Sequence, residues 1–573
     1  FHCTRTQAVS LFYLANLLHL HCKFVTLSTY TYNFDLDIRW ILGALVALFG
    51  LSIVFSSLLS LIIVMELQND KKLDSRLIKL FWTGFLGLLI VWLLVLLSIW
   101  PGSLTYDSYT QWGQANGYYA LSNWHPIFHT LLIKLCSLLY LSPASYLVFQ
   151  IILGSFSVSW VVYRLCRRGL PFWLGICTLI GYAIYPLNGI YMSTVWKDIP
   201  YSIMLLLLFY LVAEIVQDGE INRLSWAKIL ALTCLLICTA LIRKNGLYVV
   251  LIVAAYLLIF KRSLKTFVAV VVTLFGIFGF NYVTDAVYHV AKSPTTEMMA
   301  VPLQQIGATY AHNGNISQKN QKYFAQILPA NEWKERYNPY TADNLKFSPN
   351  FKGYIINENA GDFLKHWFEL LKHNKVRFIM AYAELSAVLW KYNLPSNEVN
   401  GLMGGGEHPR IQPNDEMHVK QYMQVRNNPQ KYLRPLYESN DNIRKSNGQN
   451  TISYSTFVHR YLTANKSLLY DSKIPIGNKI VKHIFVSIQE KYVRILASGA
   501  LALLVTLLAL CVAIEKIGFW KSIAMFLVPA INFLTLAISA PAPVYRYVYS
   551  LSFSSWLIML FVVTLKSKRT DTK

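Results

Sequence analysis

The sequence predicts an all-α polytopic membrane protein of about 11–12 transmembrane helices with a mixed, mostly helical extracytoplasmic domain. Hydrophobic residues fill 55% of the 573 positions and charged residues only 14%, against roughly 25% charged in soluble globular proteins. The apolar residues collect in repeated runs of about 17 to 25, the length a helix needs to cross roughly 30 Å of hydrocarbon. The Lys and Arg residues collect largely in the short loops between those runs and in one polar region.

Strong apolar runs fall at 41–65, 80–99, 145–163, 171–192, 199–216, 227–242, 246–260, 266–282, 491–514, 522–539 and 547–566. The stretch 7–27 is apolar but interrupted by Asn16, His19, His21 and Lys23, lacks a small-residue cleavage site, and reads as a weak spanning segment. The chain begins at Phe1 without an initiator Met, which reads as numbering that starts inside a longer or trimmed protein.

Orientation follows from short basic loops, which stay in the cytoplasm. These are Lys71/Lys72/Arg76/Lys79, Arg164/Arg167/Arg168, Arg223/Lys228, Lys261/Arg262/Lys265, Lys516/Lys521 and Lys566/Lys568/Arg569. One alternating path keeps all six inside, provided 127–141 does not cross. That segment is short and carries Lys134, so it reads as an interfacial helix or re-entrant piece, with a short tilted span as the alternative. The path yields an N-terminal membrane module 1–289 with a first extracytoplasmic loop at 100–126. An extracytoplasmic domain follows at 290–490, then C-terminal helices and a cytoplasmic tail at 491–573. Within 290–490, the segment 362–391 is amphipathic, with Trp367, Phe368, Phe378, Tyr382 and Trp390, and is expected against the membrane.

The net charge of +23 could point to nucleic acid, but no recognition helix or aromatic-basic signature accompanies it. It reads instead as membrane topology plus affinity for anionic lipid or phosphate. None of the eight cysteines lies in 290–490, which excludes a disulfide-stapled ectodomain. Cys234 and Cys238 share a helix face inside an apolar run and read as core residues rather than ligands. The glycine run at 404–406 lacks the following Lys-Ser/Thr of a phosphate loop and reads as a flexible turn.

On the predicted outer face, the loop 100–126 holds one acid, Asp107, among Tyr106, Tyr109, Trp112, Tyr118, Tyr119 and Trp124, and no Lys or Arg. Desolvation should raise its pKa and suit it to general-base work. An aromatic belt with one solvated Asp is the bland alternative. Lys197 and Asp198 stand at the turn 193–198, where a snorkelling pair is the alternative. Arg243 with Lys244 and Asn245 forms a third outer turn, and Arg546 lies in a fourth at 540–546. Cations held outside against the usual bias need a reason, and an anionic ligand supplies one. His125 and His129 have the spacing of a shared helix face, but structural or substrate-binding roles rank ahead of a metal site.

Tyr106-Asp107-Ser108, then Asn123-Trp124-His125-Pro126, then Lys197-Asp198 before a span, make the chain resemble the C-type (GT-C) superfamily of multispanning bacterial glycosyltransferases. Members of it share the VWKD, LIRKNGLY, PLQQIG and late RY stretches seen here. The resemblance covers most of the membrane part, and 310–490 has no specific match. It implies a polyprenyl-phosphate-linked sugar as donor and a glycan or other cell-envelope polymer as acceptor, at the extracytoplasmic face of the cell membrane. It implies Asp107 as the catalytic acid-bearing residue and Asp198 as a second polar residue orienting donor or acceptor. Lys197, Arg243 and Arg546 are the implied phosphate ligands, with His125, Gln111, Tyr545, Tyr547 and Gln304 completing the substrate-binding set. The superfamily often carries two acids in this loop and this chain has Asp107 alone, so a divalent cation stays an open option and no metal ligands are assigned.

The chemistry fits without the family: glycosyl transfer from a lipid phosphate needs a base for the acceptor hydroxyl and cations for the leaving phosphate. No nucleotide-binding loop is present to hold a soluble sugar nucleotide. The main rival is a polytopic transporter or flippase of a lipid-linked or anionic envelope precursor, expected to carry ionisable groups near the midplane of repeated halves. A lipid-linked polymerase or ligase and a non-catalytic envelope scaffold are the others.

Overall fold

The computed structural model describes residues 75–218, 225–391, 415–539 and 543–566. The runs at 7–27 and 41–65, the glycine turn at 404–406 and the extreme C-terminal basic residues lie outside the described residues. The described residues are 79% helical, and the only β contacts among them are isolated bridges. It is an all-α membrane protein. Among the described residues six helices are long and apolar enough to cross a bilayer: Ser75–Ser98, Pro143–Arg167, Asp198–Gln217, Leu264–Ala286, Gly499–Ile517 and Tyr545–Val563.

Two of the expected spans are broken. The run 171–192 is a pair, Phe172–Ile184 and Pro186–Met192, bent by 60°. Pro186 forces Tyr185 out of the helical region to φ −65°, ψ 110°, which ends the first piece. The run 522–539 becomes Phe519–Met525 and Leu527–Ser539, bent by 62°. Pro529 lacks an N–H and its ring crowds the Met525 carbonyl one turn back. Counting each bent pair as one span gives eight. Three further apolar helices are shorter: Ile127–Leu139, Trp226–Ile242 and Lys244–Phe260. At 13 residues, Ile127–Leu139 is about 20 Å long, short of the roughly 30 Å of a bilayer core. It packs against the Tyr106–Ala115 and Pro143–Arg167 helices.

The helix ends sort by charge. At one end the starts of Asp198–Asp218 and Tyr545–Val563 meet the loop 100–126 and the Arg243 turn, through ion pairs described below. At the other end Arg164 and Arg168 both pair with Glu214, at 2.5 and 3.3 Å, and Tyr210 donates a hydrogen bond to the same carboxylate. Lys516 closes this end by donating to the Val563 carbonyl at 2.7 Å. Basic loop residues and candidate site residues therefore occupy opposite ends of the bundle, as one alternating path requires.

The polar region 290–490 divides. Its first part builds a separate core from Met299, Leu303, Ile306, Phe324, Trp333, Phe363, Leu370 and Phe378. Its second part does not join that core: Leu433, Phe457, Ala464, Val481 and Phe485 pack into the membrane core cluster with Trp112 and Tyr118 of the first loop. The loop 100–126 is thus buried from above, with Trp112 Nε1 donating to the Ala464 carbonyl at 3.2 Å. The amphipathic segment 362–391 is two helices, Ala360–His373 and Lys375–Leu385, with a short turn after them. Much of its apolar face serves the polar core, through Phe363, Leu370 and Phe378, whereas Phe368 and Trp390 remain exposed.

Glu214 holds two largely buried guanidinium groups. Breaking a buried pair by removing one partner costs about 3–5 kcal/mol, because the orphaned charges remain. Glu214→Gln should therefore lower the melting temperature of the detergent-solubilised protein sharply. An unchanged melting curve would mean that the cluster does not lock this end of the bundle.

Candidate functional site

The site starts with a seam of backbone bonds. Ser103 N donates to the Ser193 carbonyl at 2.9 Å and Val195 N to the Ser103 carbonyl at 3.0 Å, tying the first loop to the 193–198 turn. Ser108 Oγ donates to the Val195 carbonyl at 2.6 Å, and Trp196 Nε1 to Thr105 Oγ1 at 2.9 Å. From below, Gln150 Nε2 donates to the Met192 and Thr194 carbonyls at 3.0 and 3.1 Å. This fixes Asp107 in the first turn of Tyr106–Ala115 and Asp198 in the first turn of Asp198–Asp218, where helix N-termini favour negative charge.

The cations converge on these two carboxylates. Arg546 Nη1 lies 3.0 Å from Asp107 Oδ2 and Lys197 Nζ lies 3.4 Å from the same oxygen. His125 Nε2 stands 3.8 Å from Asp107 Oδ1. Arg243 pairs with Asp198 at 3.0 Å, and the Asp198 side chain is only 1% exposed where that of Asp107 is 25% exposed. Aromatic rings fill the gaps: the Arg546 guanidinium lies over Trp196 and Tyr547, and that of Arg243 over Tyr201 and Tyr547. Arg546 also donates to Tyr547 Oη at 3.1 Å. The Arg243 turn is this tight because Gly246 follows it: a Cβ there would lie 1.9 Å from the Thr239 carbonyl oxygen.

Desolvation alone would raise the Asp107 pKa, as its loop composition leads one to expect. The opposite holds. Burial does push the carboxyl up, but Arg546, Lys197 and His125 together outweigh it and hold Asp107 well below the usual carboxylate range. His125 is pushed down, by burial first and then by Lys197, so it is neutral at pH 7. Its Nδ1 lies 3.3 Å from Lys197 Nζ. An ammonium can only donate, so Nδ1 is the acceptor and the ring proton sits on Nε2, facing Asp107.

His125 and His129 do not share a helix face. The helix begins at Ile127 with Pro126 as its cap, so His125 precedes it and turns to Asp107. His129 turns the other way, with Nδ1 against Gln111 Oε1 at 2.9 Å and Nε2 against Tyr146 Oη at 2.8 Å. Gln111 is thereby a buried support rather than part of the open cluster, and its Nε2 donates to Thr130. Tyr545 points into the bundle, with its hydroxyl 3.2 Å from that of Tyr185, while Tyr547 faces the cations. Gln304 is buried in the polar region, donating to the Asn338 carbonyl at 2.5 Å. Among the described residues no three His, Cys, Asp or Glu side chains are placed to share a metal ion.

Gln304 bears on the site indirectly, because the loop it holds leads to residues that sequence reasoning missed. Lys346 pairs with Glu297 at 2.9 Å and with Asp343 at 3.6 Å. Burial, with Glu297 adding to it, pushes the Asp343 carboxyl up despite Lys346, and its field reaches Arg546 and Tyr547. Lys346 is raised, since Asp343 and Glu297 outweigh its own desolvation. The polar region therefore contributes to the field at the site, through a carboxyl shifted in the direction opposite to Asp107. Nothing in the local sequence marks Asp343; only the fold brings it there.

A family of unknown function (DUF6020) matches residues 120–573. The chain belongs to the DUF6020 family. No curated protein and no solved structure matches the chain. The DUF6020 match includes His125, Lys197, Asp198, Arg243, Asp343 and Arg546 and starts after Asp107, so the cation set lies within the family region.

A carboxylate with a depressed folded-state pKa adds stability that is complete above its unfolded value, near about 3.9, and that fades as pH falls further. Asp107→Asn should thus lower the melting temperature at pH 7. Its deficit against the native protein should stay constant from about pH 7 to 5 and shrink only below about pH 4. A deficit that already closes between pH 7 and 6 would show that Asp107 titrates near neutrality.

Proposed function

We propose that this protein is a membrane glycosyltransferase that moves a sugar from a polyprenyl-phosphate donor to a glycan or other cell-envelope acceptor at the extracytoplasmic face. The observation that carries this reading is the convergence of Lys197, Arg243 and Arg546, from three separate helix ends, on two carboxylates. Three cations against Asp107 and Asp198 leave a surplus of one positive charge (3 − 2) at the end of an apolar bundle, where a lipid phosphate would lie. Asp198 and Arg243 are the more buried pair and position the site. Arg546, Lys197 and Asp107 are the partly open set.

In this reading the donor phosphate binds Arg546 and Lys197, which suit phosphate by charge and, for Arg546, by a two-pronged donor geometry. That binding removes the field depressing Asp107. Burial then dominates and its proton affinity rises, so the base becomes competent only with donor in place. Asp107 accepts the proton of the acceptor hydroxyl as its oxygen bonds to the anomeric carbon. The anomeric carbon–oxygen bond to phosphate breaks, and the cations take up the charge of the departing lipid phosphate. Neutral His125 turns its Nε2 side to Asp107 at 3.8 Å and lines the same recess. The transporter reading has less support, since the charged groups described above gather at the two helix ends and not at midspan.

Lys197→Ala and Arg546→Ala should each raise the Michaelis constant for a polyprenyl-phosphate-sugar donor by roughly tenfold or more, the effect of losing a charged hydrogen bond. Asp107→Asn should instead lower turnover by about a hundred- to ten-thousand-fold. Transfer assays on purified protein in nanodiscs give both constants. Unchanged donor dependence in the two cation variants would overturn the phosphate assignment, and near-native turnover of Asp107→Asn would move the base elsewhere.

A further inference from the structure

Away from this site, the polar region holds a cavity of about 590 Å³ beside the Ala300–Ala311 and Lys375–Leu385 helices. Its wall carries Lys372, His373, Lys375, Arg377 and His312. The one acid there, Glu384, accepts a hydrogen bond from the Tyr337 hydroxyl at 3.3 Å. Arg377 Nη1 is buried without a hydrogen-bond partner. Lys375 and Arg377 lie in the first turn of an 11-residue helix whose N-cap, Asn374, gives it no side-chain cap. Asn374 is spent on Asn315 instead, accepting from its N–H at 3.0 Å. Uncapped N–H groups and clustered cations together make a strongly positive recess that an anion would neutralise.

The same helix is apolar on two sides. Phe378, Ala381 and Leu385 are buried inward, whereas Val376, Ile379 and Met380 are 71%, 68% and 57% exposed. Their i, i+3, i+4 spacing makes one outward stripe, and Val376 and Met380 also line the cavity. A free phosphate or a polar glycan would use the cations and leave that stripe in water. A lipid uses both. Position agrees: the following turn, Ala387–Trp390, packs on the Gly499–Ile517 helix. A Cβ on Gly499, at the start of that membrane-crossing helix, would lie 2.3 Å from the Val388 carbonyl oxygen and 3.2 Å from Val548. That turn thus stands near the end of the Gly499–Ile517 helix on the Arg546 side, and the striped helix leads directly into it.

We propose that this cavity binds the phosphate headgroup of an anionic phospholipid in the leaflet on the site's side, with the acyl chain lying along Val376, Ile379 and Met380. The lipid docks the first half of the polar region onto the membrane surface. The proposal does not depend on glycosyl transfer.

Hydrogen–deuterium exchange on the full chain in nanodiscs tests it. Peptides covering 372–384 should exchange roughly tenfold or more slowly in phosphatidylglycerol than in phosphatidylcholine, the order expected for two basic contacts to an anionic surface. The double variant K372E/K375E, at two exposed positions, should abolish that difference while the core around Phe324 and Trp333 stays protected. Equal exchange of the native protein in the two lipids would overturn the proposal without any variant. Equal protection by inorganic phosphate in detergent would also overturn it, in favour of a free-anion site.

Discussion

The Asp107 carboxylate, held between Arg546 and Lys197, is the contact on which the arrangement of this end of the molecule rests. It joins three parts of the chain that are far apart in sequence: the first loop, the 193–198 turn and the start of the final helix. Burying a carboxylate costs several kcal/mol unless cations and hydrogen bonds compensate, and here two strong cations and a neutral imidazole do so. The cations are equally dependent on the acid. Arg546 sits in a ring of Trp196 and Tyr547 and would lose the carboxylate it pairs with if Asp107 were neutral.

That mutual dependence links the resting state to the proposed chemistry. A base already stabilised by three positive or polar neighbours is a weak proton acceptor, and a phosphate that claims the same neighbours makes it a stronger one. Asp343 adds a contrast: its proton affinity is raised where that of Asp107 is lowered. Asp343 belongs to the polar region, so the seating of that region bears on the field felt by Arg546 and Tyr547.

Much of the membrane architecture was legible from apolar runs, because span length and hydropathy are set by the bilayer itself. The bends at Pro186 and Pro529 follow from proline chemistry visible in the sequence, yet hydropathy averages across them and reports one run. The cation set was legible for the same electrostatic reason, since Lys197, Arg243 and Arg546 break the charge bias of short loops. The direction of the Asp107 shift was not. Loop composition shows desolvation, whereas the two cations that do most to reverse it, Arg546 and Lys197, lie 90 and more positions away. The roles of Gln111 and Tyr545, turned inward to His129 and Tyr185, and the arrival of Asp343 likewise depend on long-range packing that no local pattern encodes.

The most direct measurement is a structure of the protein in a lipid nanodisc with a polyprenyl phosphate bound. The account predicts phosphate density within hydrogen-bond distance of both Arg546 and Lys197, with the Asp107 carboxylate released from Arg546. Phosphate density seated elsewhere, with the Asp107–Arg546 pair intact at its 3.0 Å, would contradict it.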